Sequence, residues 1–83
     1  MYEFVGFYHR KGVSSKTGKD YEFFQCYFLY PLPDNRSDCV GMEAVTINLN
    51  PQIFYQADLA DCIGKKCRIR FSRYGRPESV EVV

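Results

Sequence analysis

The chain has 83 residues, a formal net charge of +1 and an aromatic content of 17%, all of it Phe and Tyr. A chain of this length forms one domain, here residues 1–83, and buries only about 60% of the surface that its unfolded form exposes, which excludes a large active-site cleft. No stretch approaches the roughly 20 apolar residues that span a bilayer, and the N-terminal residues lack the pattern of a secretion signal, so we expect a cytoplasmic protein without membrane contact.

The first predicted element is a strand over residues 2–8, where alternation separates two sets of side chains. The sets are Tyr2, Phe4, Gly6 and Tyr8 on one face, and Glu3, Val5 and Phe7 on the other. Glycine inside a strand often marks a bulge, and Gly6 is the candidate. Residues 9–20 are rich in Gly, Ser and Thr, which predicts a loop or the tip of a long hairpin.

The second predicted strand covers residues 21–30 and has almost no polar side chain. Its alternation assigns Phe24, Cys26 and Phe28 to the core. The other set then faces outwards, namely Tyr21, Phe23, Gln25, Tyr27 and Leu29. Proline, Asp and Asn make residues 31–41 a loop without regular structure.

Residues 42–49 resume a strand pattern, with the alternate apolar residues Val45, Ile47 and Leu49 facing the core. Asn50 is suited to cap a short helix that begins at Pro51, because proline lacks the N–H that the first helical turn leaves unpaired. One or two helical turns are therefore predicted within residues 52–62.

The clearest alternation in the chain predicts a fourth strand, half-buried and with a cationic outer face. Its inner residues are Cys67, Ile69 and Phe71, and its outer residues are Lys66, Arg68 and Arg70. A turn at 73–77 precedes a last strand over 79–83. Five short strands, with one short helical turn between strands 3 and 4, predict an all-β fold of the small five-stranded OB-like barrel type.

Nothing in the chain indicates catalysis, and we expect no enzymatic activity, no catalytic residue and no cofactor. His9 is the single histidine, and no nucleophile motif or phosphate-binding glycine signature is present. The four cysteines contain no C-x-x-C pair, so reduced thiols are expected in a reducing compartment, with two disulfides or a zinc site as the alternatives. No metal site is predicted.

The charges are segregated, because ten of the eleven basic residues lie in two acid-free blocks, residues 10–19 and 65–76. Cations that follow phosphates and rings that stack on bases are the two requirements of single-stranded nucleic-acid binding. We predict that both blocks meet on one surface. The candidate site residues are Arg10, Lys11, Lys16, Lys19, Tyr21, Phe23, Tyr27, Arg68, Arg70, Arg73 and Tyr74.

Several alternatives stay open at this point. The rings are equally compatible with the core of a very aromatic small barrel, and the basic strand with a solvated face. A protein-interaction or assembly module would use exposed rings as a partner interface. The same surface would also permit RNA binding.

The run from Gly12 to Tyr21, G-V-S-S-K-T-G-K-D-Y, followed by Cys26 and Tyr27, resembles the gene V single-stranded-DNA-binding proteins of filamentous bacteriophages. A similar ending, F-x-x-Y-G from Phe71 and then an apolar-alternating strand, adds to the likeness. The resemblance implies a small OB-like barrel that binds single-stranded DNA without sequence specificity and coats replicating phage DNA as a homodimer.

Position by position, the resemblance places Lys16 where the family has a basic loop residue on DNA. It places Tyr21 and Phe23 where the family has a stacking tyrosine and its apolar neighbour, and Tyr27 where the family has another tyrosine. Tyr74 matches an aromatic residue that helps to complete a partner subunit's site. The long loop over residues 31–41 departs from the family pattern, and so do two acids in the last strand, Glu78 and Glu81.

Overall fold

The computed structural model describes all residues from 1 to 83 and contains five strands and two short helical segments. The elements are β1 (Tyr2–Val13), β2 (Asp20–Pro31), β3 (Met42–Leu49), α1 (Pro51–Gln56), a 3₁₀ turn (Leu59–Asp61), β4 (Lys66–Phe71) and β5 (Pro77–Val82). All strand pairs are antiparallel, in one sheet of order β3-β2-β1-β4-β5. The predicted all-β class, with five strands and helical structure between strands 3 and 4, is confirmed. β3 and β5 are the sheet edges and do not pair, so closure into an OB-like barrel stays a prediction.

The first hairpin is longer than the sequence indicated. β1 continues to Val13, and the turn is closed by the Ser14 amide, which donates to the Lys19 carbonyl at 2.9 Å. The strand prediction that ended at Tyr8 was therefore too short, and residues 9–20 are the end of a long hairpin. Since β3 pairs with β2 only from Phe24 onwards, the far part of this hairpin is a two-stranded ribbon.

A β-bulge between Phe4 and Gly6 changes which side chains of β1 face the core. Phe4 is fully buried, and Phe7 packs beside it with the two ring centroids 6.2 Å apart. The predicted alternation, which put these two residues on opposite faces, is wrong beyond Phe4. One extra residue in a strand reverses the direction of every side chain after it.

The core lies between the inner face of the sheet and α1. Its centre is a column of stacked rings, in which Phe24 lies 3.7 Å from Phe54 and 4.2 Å from His9, centroid to centroid. Phe7 meets Phe54 edge-on at 4.9 Å. Edge-on ring contacts such as that between Phe7 and Phe54 add to the free energy gained from burial. The column therefore fixes α1 and the hairpin relative to each other.

The short helix begins as the sequence predicted. Asn50 has an extended backbone, and its Oδ1 accepts a hydrogen bond from the Ile53 amide at 2.8 Å, while Pro51 opens the first turn. The cap satisfies one of the unpaired amides at the start of the helix. Ile53 and Phe54 then enter the core.

Neither helical segment has the length and apolar character that a membrane-spanning helix requires.

All four cysteines are free thiols, and three of them, Cys26, Cys62 and Cys67, are buried. Burial, and secondly the neighbouring Cys67, raises the pKa of Cys26 from 9.0 to about 12. The pKa of Cys67 is also raised, first by burial and then by Cys62. The core therefore holds these two thiols in their neutral form at neutral pH.

The raised pKa of Cys26 predicts a loss of stability at high pH. The folded state holds this proton more tightly than the unfolded state, so the contribution is complete below pH 9 and is lost as the pH rises towards about 12. The slope approaches about 1.4 kcal/mol per pH unit in that range. Urea unfolding at pH 8 and pH 10.5 under reducing conditions measures the change in unfolding free energy.

We expect Cys26→Ala to reduce this difference between the two pH values, although the variant is less stable overall. Cys39→Ala serves as the control because Cys39 lies outside the core, in the loop before β3. Equal pH slopes for the wild type and Cys26→Ala would contradict the prediction.

Candidate nucleic-acid interface

The outer face of the first hairpin carries a continuous group of rings and uncompensated positive charge. Residues that pair across an antiparallel ladder direct their side chains to the same face. Gly6 pairs with Tyr27, Tyr8 with Gln25, Arg10 with Phe23, and Gly12 with Tyr21. We call the surface formed by these side chains the ring face: Tyr8, Arg10, Tyr21, Phe23, Gln25 and Tyr27.

The rings of this face do not belong to the core. Tyr8 and Tyr21 are 55% and 46% exposed, and neither Phe23 nor Tyr27 is among the side chains that pack against the buried cluster. The prediction that the 21–29 set faces outwards is therefore confirmed. Ordinary core packing does not account for these side chains.

Two strand glycines lie next to two of these rings. A Cβ on Gly12 would be 3.0 Å from Oη and 3.2 Å from Cζ of Tyr21, so the ring lies directly on the bare backbone of β1. A Cβ on Gly6 would be 3.9 Å from Cδ2 of Tyr27, which is ordinary contact. The Tyr21 ring also lies 6.1 Å from that of Phe23. Gly12 thus permits a ring position that any other residue would disturb.

Arg10 occupies the middle of the ring face. Its guanidinium carbon lies 4.3 Å from the centroid of the Tyr8 ring, and its Nε donates to Oε1 of Gln25 at 2.7 Å. A guanidinium held over a ring is stabilised by the ring quadrupole and presents its remaining N–H groups to solvent. No carboxylate lies within salt-bridge distance of Arg10. Its charge is therefore available to an anionic ligand.

The pleat of the sheet directs Asp20 and Glu22 away from the ring face. Asp20 pairs with Val13 and Glu22 with Lys11, and both pairs point to the opposite face. On that side Nε2 of His9 donates to Oε2 of Glu22 at 2.7 Å. Lys11, a predicted site residue, consequently lies on the other face from the rings. The predicted site residues Lys16 and Lys19 are exposed in the hairpin turn, at the end of the ring face near Tyr21.

The second basic block lies on the same outer face of the sheet but far from the hairpin turn. β4 meets β1 only at its N-terminal end, where Tyr2 pairs with Cys67 and Glu3 with Lys66. From there β4 runs away from the hairpin turn, so Arg68 and Arg70 lie beyond the other end of β1. The ten residues from Phe4 to Val13 amount to about 30 Å of strand. The register separates the two blocks along the sheet, and the prediction that they form one binding surface stays a prediction.

The β4–β5 hairpin carries both positive and negative side chains. Arg68 pairs directly with Glu81, and Arg70 with Ser79. Arg73 lies over the Tyr74 ring at 5.6 Å in the turn, where Tyr74 is 81% exposed. These four predicted site residues, Arg68, Arg70, Arg73 and Tyr74, form a separate patch, with an acid beside one of its cations.

Sequence reasoning missed several residues of the outer face. Tyr8 was predicted on the same face of β1 as Phe4. Gly6 was recognised as a candidate bulge, but the reversal of side-chain direction after a bulge was not taken into account. Gln25 was recognised as outward but not as a partner of Arg10. β3 adds Asn48 opposite Gln25 and Thr46 opposite Tyr27, and both pairs follow only from the β2–β3 register.

Comparison of the chain with protein-family models, with curated proteins and with solved structures finds no match. The likeness to the gene V proteins therefore rests on the residues quoted above, and the roles that it implies remain predictions.

The contact between Gly12 and Tyr21 predicts that Gly12→Ala displaces the ring. Tyr21 is 46% exposed and its ring is free to move outwards, so the unfolding free energy should change by less than about 1 kcal/mol. The ring proton shifts of Tyr21 in an NMR spectrum should change strongly. Gly6→Ala is the matched control, because its Cβ meets Tyr27 at an ordinary distance. Unchanged Tyr21 shifts in Gly12→Ala would show that the ring does not lie on this backbone.

Proposed function

We propose that the protein binds single-stranded DNA on the ring face, without marked sequence specificity and without catalysis. The observation that carries the proposal is the arrangement of four rings around Arg10 on one outer face, with Asp20 and Glu22 of the same hairpin on the opposite face. Through the resemblance, the proposal extends to a homodimer that coats or destabilises DNA during phage or mobile-element replication in the host cytoplasm.

The energetics favour stacking as the main contribution. A base stacked on an aromatic side chain is worth about 1 to 3 kcal/mol by alanine substitution. The ring face presents four rings, Tyr8, Tyr21, Phe23 and Tyr27, on two adjacent strands. Arg10 and the two lysines of the hairpin turn supply phosphate contacts around them. Two or three stacked bases would then contribute more than these cations at moderate salt.

The arrangement suits an unpaired strand better than a duplex. Rings stack only on bases whose faces are free, whereas the bases of a duplex are already stacked on one another. Gln25 and Asn48 offer polar contacts to base edges, but every base has a face for stacking, so sequence preference should be slight.

Truncation of the rings tests the proposal. We expect oligo-dT to quench the tyrosine fluorescence of the wild type at low salt. Tyr21→Ala and Phe23→Ala should each weaken binding about fivefold to 150-fold, the equivalent of 1 to 3 kcal/mol. Tyr55→Ala is the control, since this exposed ring lies on α1, on the other side of the sheet. Thermal unfolding confirms that each variant is folded.

Four outcomes would contradict or redirect the proposal. Absence of oligo-dT binding at low salt removes it. Equal losses in Tyr55→Ala and Tyr21→Ala remove the ring face as the site. Preferential binding of matched RNA in competition would replace DNA by RNA as the ligand, and unchanged binding in every ring variant would favour a protein-interaction surface.

A second experiment uses the two neighbouring cations that the pleat separates. Each phosphate contact to a single strand contributes about 0.7 to the slope of log affinity against log salt. Arg10→Gln should reduce the magnitude of this slope by about that amount, because Arg10 lies on the ring face. Lys11→Gln should leave the slope unchanged, because Lys11 faces the other way beside Glu22. Equal effects of the two substitutions would show that DNA contacts both faces of the hairpin.

A further inference from the structure

The outer edge of β1 is open over nine residues. On that side β4 reaches only as far as Phe4, whose amide donates to the Lys65 carbonyl at 2.9 Å and whose carbonyl accepts from the Gly64 amide at 2.7 Å. The edge then runs free from Val5 to Val13, where the hairpin turns away. An unpaired strand edge of this length is a template for another strand.

The backbone groups on this edge are identified by alternation. The Ser14 amide points inwards and donates to the carbonyl of Lys19, the residue before β2. In an antiparallel ladder every second residue faces its partner, so Gly12, Arg10 and Tyr8 also face β2. Phe7, His9, Lys11 and Val13 therefore direct their N–H and C=O groups to the open side. No backbone partner within the chain satisfies them.

The free segment is complementary to itself. Its sequence, V-G-F-Y-H-R-K-G-V from Val5 to Val13, has Val and then Gly at both ends and His9 at its centre. A twofold axis through His9 would pair two copies antiparallel, so that Val5 meets Val13, Gly6 meets Gly12, Phe7 meets Lys11 and Tyr8 meets Arg10. Isologous pairing requires this reciprocity, in which each contact occurs twice.

We propose that two copies of the chain associate through this edge, with β1 paired antiparallel to β1 about His9. His9 faces the open side, so this register makes a hydrogen-bonded pair at the centre and two more where Phe7 meets Lys11. Tyr8 of one copy lies beside Arg10 of the other, which repeats across the interface the cation–π contact seen within the chain. Registers centred on Arg10 or Lys11 would oppose two like charges and are disfavoured.

The pairing supplies what the isolated hairpin lacks. The far part of the β1–β2 hairpin has no third strand, and a two-stranded ribbon is only marginally stable in water. The dimer converts two ribbons into one four-stranded sheet, β2-β1-β1-β2. The interface does not depend on the proposed function. What the dimer implies for DNA does rest on the proposed function. The twofold axis turns both ring faces to the same side, so each copy adds Tyr8 and Arg10 to a shared surface.

Amide hydrogen exchange tests the interface in the absence of DNA. At concentrations where sedimentation shows dimers, the amides of Phe7, His9 and Lys11 should be protected, with exchange about tenfold slower when nine chains in ten are paired. At dilution this protection should vanish. The amide of Tyr8 faces Gln25 of β2 where β3 also pairs with β2, so it serves as an internal control that is protected in both states. A protein that is monomeric at millimolar concentration, or a dimer whose edge amides exchange freely, would overturn the proposal.

Two variants make the test specific. Lys11→Pro removes an N–H that faces the open edge, a position where strands tolerate proline, so this variant should be folded and monomeric. Tyr8→Arg brings Arg beside Arg10 twice and should dissociate the dimer, whereas the double exchange Tyr8→Arg with Arg10→Tyr restores both pairs and should recover it. A folded Lys11→Pro dimer, or a double exchange that stays as monomeric as Tyr8→Arg, would contradict this register. Dimers that fail to bind oligo-dT would leave the interface intact and remove only the proposed function.

Discussion

The β-bulge between Phe4 and Gly6 is the constraint on which both sides of the sheet depend. Regular alternation from Phe4 would direct Tyr8 and Arg10 into the core. The extra residue reverses the parity of β1, so Phe7 joins the core while Tyr8 and Arg10 face outwards. One irregular position near the start of β1 therefore creates both the core face of the hairpin and its outer face.

β2 contributes side chains both to the core and to the ring face. Phe24, Cys26 and Phe28 are buried on one side, while Tyr21, Phe23 and Tyr27 lie on the other. Such a strand is apolar on both faces, and a one-residue slip of register would exchange the two sets. The stacked column of His9, Phe24 and Phe54 opposes that slip, because a change of register would turn Phe24 away from His9 and from Phe54 of α1. The exposed rings thus keep their positions through contacts made on the opposite side of the sheet.

The sequence predicted what local signals determine. β3 begins and ends at the residues expected, since Gly41 and the capping Asn50 flank it, and the outward set of β2 follows from alternation alone. The extent of β1 was missed because Gly12 and Ser14 have the composition of a loop. Gly12 is accepted in the strand because the Tyr21 ring lies over it, a contact that local sequence does not contain. The separation of the basic blocks follows from the β1–β4 register, which depends on residues far apart in the chain.

The contact between Gly12 and Tyr21 also bears on the entropy of ligand association. A free tyrosine side chain samples several rotamers, and fixing a rotamer-rich side chain at an interface costs about 0.5 to 1.5 kcal/mol. Here the Tyr21 ring lies on the backbone of Gly12, and Arg10 contacts both Tyr8 and Gln25. A ligand bound to the ring face as proposed would therefore meet side chains that already have contacts within the chain. Most of the conformational entropy lost on binding would then be that of the ligand. Flexible ligands would lose more entropy on binding than the protein does.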